Sequence, residues 1–268
     1  MIAETANVEA EQSMQIEKLI ADSGAFLERI RETKATCADA DFPWYPWGTI
    51  HNLGHLNNLL TGSHRDLASL IGAMPVADVG AADGDLSFFL EQYGVHADIV
   101  DFGPTNHNGL RGARALRDAL NSRVEIHEMD LDGYFKWPRE RYGLIFFLGI
   151  LYHLKNPFYA LESLAKVAEY ALISTKITRF SADRKTLIDN QPVAYLLDSG
   201  EAHNDPTNYW VFSDAGLKRI LKRTGWELLD YTRAGNTKNS DPASPDGDER
   251  AFLLVRSRFN ERAAPIRS

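Results

Sequence analysis

The sequence predicts an α/β protein built on a doubly wound, mostly parallel sheet, and three observations carry that expectation. From Pro75 onward, short apolar runs alternate with stretches of helical spacing, the pattern of strands joined by crossover helices. A glycine-containing turn, Gly80 to Gly84, separates the first run from the first of these helices, which is where such sheets receive ligands. The chain has 268 residues, 44% of them hydrophobic, enough to bury a core without disulfides. Its one cysteine, Cys37, has no partner within the chain, so a disulfide framework is excluded.

The elements follow in order. Helical spacing first covers 8–36, with Ile16, Leu19, Ile20, Phe26, Leu27 and Ile30 on one side. Next comes Phe42-Pro43-Trp44-Tyr45-Pro46-Trp47, where the two prolines exclude helix and favour an extended path. A second helical stretch covers 52–71, with Ser63 as a candidate cap. Residues 1–73 therefore read as a helical N-terminal extension with an aromatic strap, and 74–268 as the sheet domain. Five strands are expected at 75–80, 97–101, 123–128, 142–148 and 171–176, with helices at 86–93, 110–120 and 157–167 between them. Asn156 and Pro157 read as the cap and first residue of the last of these helices. The stretch 178–212 is too long for a connection and carries apolar patches, so it is expected to form an inserted cap. Ser213 opens a final helix, and 226–232 and 251–255 complete seven strands. The polar stretch 235–248 between them reads as a flexible hairpin loop or disorder.

The chemistry is concentrated in Asp78-Val79-Gly80-Ala81-Ala82-Asp83-Gly84-Asp85. Glycine or alanine at alternate positions lets the backbone turn sharply and approach a ligand. The helix that follows offers unpaired N–H groups. Asp101 closes the second strand about twenty residues past Gly80, where an acid accepts hydrogen bonds from ribose hydroxyls. A dinucleotide site wants Gly-x-Gly-x-x-Gly beneath a pyrophosphate. Here the spacing is Gly80-x-Ala82-x-Gly84, and Asp78, Asp83 and Asp85 crowd the turn. Three carboxylates repel a pyrophosphate and suit a cofactor with cationic groups and no phosphate.

This turn resembles motif I of the class I S-adenosylmethionine-dependent methyltransferases, and further landmarks follow in register over about 74–176. The resemblance implies a Rossmann-like seven-stranded methyltransferase sheet and S-adenosylmethionine as the cofactor. It implies cofactor contacts from Asp78, Gly80, Ala81, Ala82 and Gly84, from Asp101 and Phe102 at the ribose, and from Asp130 and Leu131 at the adenine. Leu148 would stand beside the methyl-transfer centre. Ala82 occupies a position where the family commonly has glycine. The stretch Leu148-Gly149-Ile150-Leu151-Tyr152-His153-Leu154 is similar to the Leu-Tyr-His-Leu signature of one branch. That branch includes bacterial tRNA wobble-uridine carboxymethyl- and methyltransferases.

On the acceptor side Tyr152 and His153 are the catalytic candidates. His153 is either a base for a hydroxyl acceptor, since histidine titrates near neutrality, or a structural residue bonded to a neighbouring loop. Trp44, Tyr45 and Trp47 either line the cofactor, with Tyr45 the candidate contact, or strap the N-terminal helices to the core. His51 and His55 have the i, i+4 spacing of a zinc helix. Asn52 stands where that motif has its acid, so no metal is expected.

Net charge is −8, from 29 Lys and Arg against 37 Asp and Glu, which disfavours a phosphate backbone as partner. The expected acceptor is a small molecule, methylated on oxygen or nitrogen. An RNA acceptor would need a basic stripe, with Arg111, Arg114, Arg117 and Arg123 as its candidates. A non-catalytic S-adenosylmethionine-binding protein is the reading from another class, and the acids at Asp78 and Asp101 argue against it. No apolar run approaches the ~20 residues of a membrane span, and the N-terminus does not read as a secretion signal, so a cytoplasmic location is expected.

Overall fold

The computed structural model describes residues 13–37 and 41–259. The start of the first expected helix lies outside the described residues. The N-terminal part contributes α1 (Ile16–Thr36), α2 (Asn52–Leu59) and α3 (Leu67–Ile71), with short 3-10 turns at Thr49–His51 and Gly62–Arg65. The cap of α3 is Asp66, whose side chain accepts from the Ala68 N–H, and not Ser63. A carboxylate one residue before the first turn satisfies an N–H that has no partner within the helix.

The strands are β1 (Val76–Val79), β2 (Ala97–Asp101), β3 (Glu125–Glu128), β4 (Tyr142–Leu148), β5 (Ala168–Thr178), β6 (Ala194–Leu196), β7 (Trp210–Ser213), β8 (Trp226–Gly235) and β9 (Glu249–Ser257). Between them lie α4 (Asp85–Glu91), α5 (Arg111–Ala119), α6 (Pro157–Val167) and α7 (Asp214–Arg223). Strands run β3-β2-β1-β4-β5, all parallel, and β9 then pairs antiparallel with β5 and with β8. The seven strands expected from the sequence are all present, and the fold is the doubly wound, Rossmann-like α/β sheet.

The segment 178–212 adds two more strands. β7 runs parallel to the tip of β5 at Ile177 and Thr178, and β6 pairs antiparallel with β7. Ser213 caps α7 by accepting from the Gly216 N–H.

The expectation of a flexible or disordered 235–248 stretch is corrected. Ser240 and Asp241 are buried there, and the Asp241 carboxylate is held by Arg184 and by the Ala243 and Ser244 N–H groups. The loop docks on the 178–212 segment through these contacts, which a polar composition does not reveal.

Two apolar layers cover the sheet. On one face α1–α3 and α4 pack Ile16, Leu19, Phe26, Leu53 and Leu56 with Phe89, Phe146, Leu172, Phe252 and Leu254 in one continuous cluster. On the other face Phe147, Leu161, Leu164, Ile173, Leu217 and Trp226 form the second cluster. The N-terminal helices thus share a core with the strands. Among the described residues no helix is long and apolar enough to cross a membrane.

Candidate active site

Chain reversal after β1 brings the carboxyl ends of β1, β2, β4 and β5 together. Asp78, on β1, is buried, and among the described residues its carboxylate receives a single hydrogen bond, 3.0 Å from the Ser87 Oγ. Burial, with Asp101 and Asp85 nearby, pushes its carboxyl up to about 7. No cation among the described residues pairs with it. A buried carboxylate with one hydroxyl partner is under-satisfied.

Gly80 has φ +68°, and a Cβ there would lie 1.9 Å from the Cδ1 of Ile150. Ala81 is fully buried, and its carbonyl accepts from the Gly84 N–H at 2.8 Å. Ala82 adopts φ +56°, a left-handed conformation that explains why glycine suits this position. Its N–H donates to the Asp101 carboxylate at 3.3 Å. Asp101 also accepts from the Phe102 N–H at 2.7 Å and from the Asn106 Nδ2 at 2.8 Å. Burial raises its carboxyl above the usual range, while these three donors oppose the rise. A carboxylate offers about four acceptor sites, so room for one further donor remains.

One N–H of the first turn of α4 is taken within the chain, since Leu86 donates to the Thr49 Oγ1 at 3.3 Å. One sequence expectation about the turn is corrected: Asp83 and Asp85 already face a cation of the chain. Lys34, on α1, lies 3.0 Å from Asp83 and 3.5 Å from Asp85, with its ammonium 5.2 Å from the Trp44 ring centre. Asp83 accepts further hydrogen bonds from the Tyr45 N–H and the Asn108 Nδ2. These two acids thus fasten the N-terminal helix and the aromatic strap to the turn. Asp78 is the one acid of the three with no cation beside it among the described residues.

The strap places its rings differently. Trp44 packs beside the core, Trp47 is exposed, and Tyr45 lies partly buried, with its ring centre 5.7 Å from that of His107. Burial raises the Tyr45 phenol above its ordinary value, helped by Tyr152 and Asp101 nearby.

Asp130 is exposed past β3 and accepts from the Asp132 N–H, while Leu131 is buried among the second cluster. Leu148 is half-buried at the end of β4. Asn156 makes no capping bond to α6; its N–H and Nδ2 both donate to Asp132, although Pro157 is the first helical residue as expected.

After β4 the chain turns through Gly149, whose N–H donates to Ser174 on β5, and presents Tyr152 and His153. The Nδ1 of His153 is 3.1 Å from the Thr207 carbonyl and 3.0 Å from its hydroxyl. The Thr207 hydroxyl donates to Asp205 at 2.6 Å, so it accepts from the imidazole. Nδ1 therefore carries the proton and Nε2 is the basic nitrogen. Burial lowers the His153 pKa below its ordinary value, keeping the ring neutral at pH 7. The loop bond named as one of the two alternatives is present, and it leaves the other nitrogen available.

Sequence reasoning passed over four residues here. Asn106 holds Asp101, Lys34 holds the turn, Ile150 packs on Gly80, and Arg250 on β9 reaches Tyr152 with both Nη atoms 3.3 Å from the phenol oxygen. A polar residue a few positions past a strand-end acid was a readable signal for Asn106. Arg250 had none, since it is one charged residue at the edge of an apolar strand.

These features lie at the carboxyl ends of the strands of a class I, Rossmann-like sheet. The methyltransferase-domain family matches residues 53–231, and the chain belongs to that family. No curated protein matches the chain by sequence. Among solved structures it is similar to the N-terminal domain of EvdMO1, crystallised with S-adenosylhomocysteine and D-fucose, at 18% identity and a TM-score of 0.56 over 88% of this chain and 97% of that one. An S-adenosylmethionine-dependent methyltransferase from Mesorhizobium loti aligns at 12% identity and a TM-score of 0.52, covering 76% of this chain and 97% of that one. The cyclase SpnF aligns at 14% identity and 0.52, covering 85% and 93%. At such identities the likeness is one of fold.

Proposed function

We propose that this protein transfers a methyl group from S-adenosylmethionine, the cofactor of its family, to an oxygen or nitrogen of a small-molecule acceptor. The observation that carries the reading is the pair of acids at the ends of adjacent strands, Asp78 with one hydroxyl partner and Asp101 with an acceptor site to spare. When bound, S-adenosylmethionine supplies an electrophilic methyl on a sulfonium.

The chain's own residues supply the rest. Asp101 accepts from a ribose hydroxyl, Asp78 offers a buried negative charge to a cationic group, and Ala81, Ala82, Gly84 and Phe102 line the turn. Leu131 and Leu148 provide apolar walls, Asp130 stands at the rim and Tyr45 closes the strap side. His153 takes the proton of a hydroxyl or amine acceptor at Nε2, held in that tautomer by Thr207. Tyr152, backed by Arg250, orients the acceptor, because positioning supplies most of the effect in a displacement of this kind. Of the four candidate arginines Arg111 pairs with Asp41, Arg114 with Glu128 and Arg117 with Asp118, leaving only the Arg123 guanidinium without a carboxylate partner among the described residues, which favours a small acceptor over RNA.

The test is a melting curve with S-adenosylmethionine, S-adenosylhomocysteine or NAD, since a ligand at about 100 times its Kd adds about 2.7 kcal/mol. Stabilisation by both sulfur compounds and not by NAD is expected, and stabilisation by NAD alone refutes the reading. Asp101→Ala should weaken S-adenosylhomocysteine at least about tenfold in calorimetry, through the lost ribose hydrogen bond.

A further inference from the structure

Arg250 and Lys176 lie directly opposite each other on β9 and β5, so both project from the same face of the sheet. Lys176 is buried and its ammonium is 2.5 Å from Asp248, which also lies 3.1 Å from His203. That cation is neutralised. Arg250 is not: among the described residues no carboxylate lies within 4.0 Å of its guanidinium, and its hydrogen bonds go to the Tyr152 phenol alone. Arg139 and Arg179, also partly buried, each hold carboxylates. The guanidinium carbon stands 5.3 Å from the Tyr152 ring centre, and one Nη lies 3.9 Å from where a side chain on Gly149 would begin. This places it at the carboxyl end of β4, beside the residues assigned to the acceptor. His55, stacked on Phe252 at 4.4 Å, adds no negative charge.

A half-buried guanidinium facing a neutral phenol has unused donors in a fixed fork, and that fork matches the two oxygens of a carboxylate. With Lys176 cancelled by Asp248, one unpaired positive charge remains, which suits one negative charge. We propose that the methyl acceptor is a carboxylic acid, anchored through its carboxylate by Arg250. Pairing with the guanidinium makes those oxygens poor nucleophiles, so the methyl goes to a different oxygen or nitrogen of the same molecule. This inference rests on the methyltransferase reading above.

The experiment titrates benzoate and 4-hydroxybenzoate, each beside its neutral amide, into the full-length protein saturated with S-adenosylhomocysteine, with binding read by ligand-observed NMR. The acids are expected to bind at least tenfold tighter than the amides. Arg250→Gln should abolish the difference and Arg250→Lys should retain part of it. Equal binding of acid and amide by the wild-type protein, or no binding of either acid, overturns the proposal without recourse to any variant.

A second arm separates the two sources of a carboxylate. S-adenosylhomocysteine and 5′-methylthioadenosine, which lacks the amino-acid part, are compared on the wild type and Arg250→Gln by calorimetry. A loss confined to S-adenosylhomocysteine means that Arg250 grips the cofactor and overturns the proposal; unchanged affinity for both supports it. If the wild-type protein fails to bind S-adenosylhomocysteine at all, the methyltransferase reading falls and takes this inference with it.

Discussion

Gly80→Ala isolates the close contact on which the cofactor turn is built. At φ +68° an L-residue carries left-handed strain of about 1–2 kcal/mol. The new methyl would also lie 1.9 Å from the Cδ1 and 2.3 Å from the Cγ1 of Ile150. That side chain is flexible at its end, so it rotates away at the cost of its packing, about 1–3 kcal/mol. Against this, alanine restricts the unfolded chain and recovers about 0.4–1 kcal/mol. The net loss is about 1–4.5 kcal/mol. In an Ile150→Ala background the clash is gone and only strain remains, so the same substitution costs about 0–1.5 kcal/mol. Urea unfolding of the four proteins measures both values, and the difference between them is the coupling of the two sites. A cost that is the same in both backgrounds to within about 0.5 kcal/mol refutes the contact between Ile150 and Gly80.

Three further outcomes are expected. Asp78 titrates near 7 in the folded protein against 3.8 unfolded, so it stabilises the ligand-free fold fully below pH 4, and that stability is lost as pH rises toward and through 7. The loss is about 4 kcal/mol, and Asp78→Asn should flatten this part of the stability–pH curve; an unchanged slope in the variant counts against a buried, unpaired acid. Lys34→Ala leaves Asp83 and Asp85 without their cation and should destabilise by about 3–5 kcal/mol in denaturant melts, whereas a change under about 0.5 kcal/mol contradicts the ion-pair role. With an acceptor in hand, the midpoint of the acid limb of kcat should fall below 6.5, because burial lowers the His153 pKa, and His153→Gln should remove that limb. A limb at or above 6.5 speaks against the buried neutral imidazole.

Much of this protein was legible because the signals are local. The run Tyr142–Leu148 is apolar at every position but one, so its burial as a central strand follows from composition over seven residues. The spacing from Asp78 through Gly84 encodes a tight strand-to-helix turn, and Asp101 ends the next strand, so both acids reach the carboxyl end of the sheet because strands joined by a crossover helix run parallel. Ser213 before an amphipathic stretch announced its helix.

What remained hidden depends on partners far apart in the chain. Lys34 meets Asp83 across 49 positions, and Arg250 meets Tyr152 across 98. No short pattern encodes such pairs, because side-chain reach is decided by how helices dock on the sheet. The 235–248 loop looked free for the same reason: its order comes from Arg184, a residue of the 178–212 segment. The sequence by itself thus determined the sheet, the turn and its two acids, through periodicity and spacing. Tertiary structure alone decided which charges are cancelled and which are left for a ligand. Charge compensation depends on distance in space, and only the packed chain sets those distances.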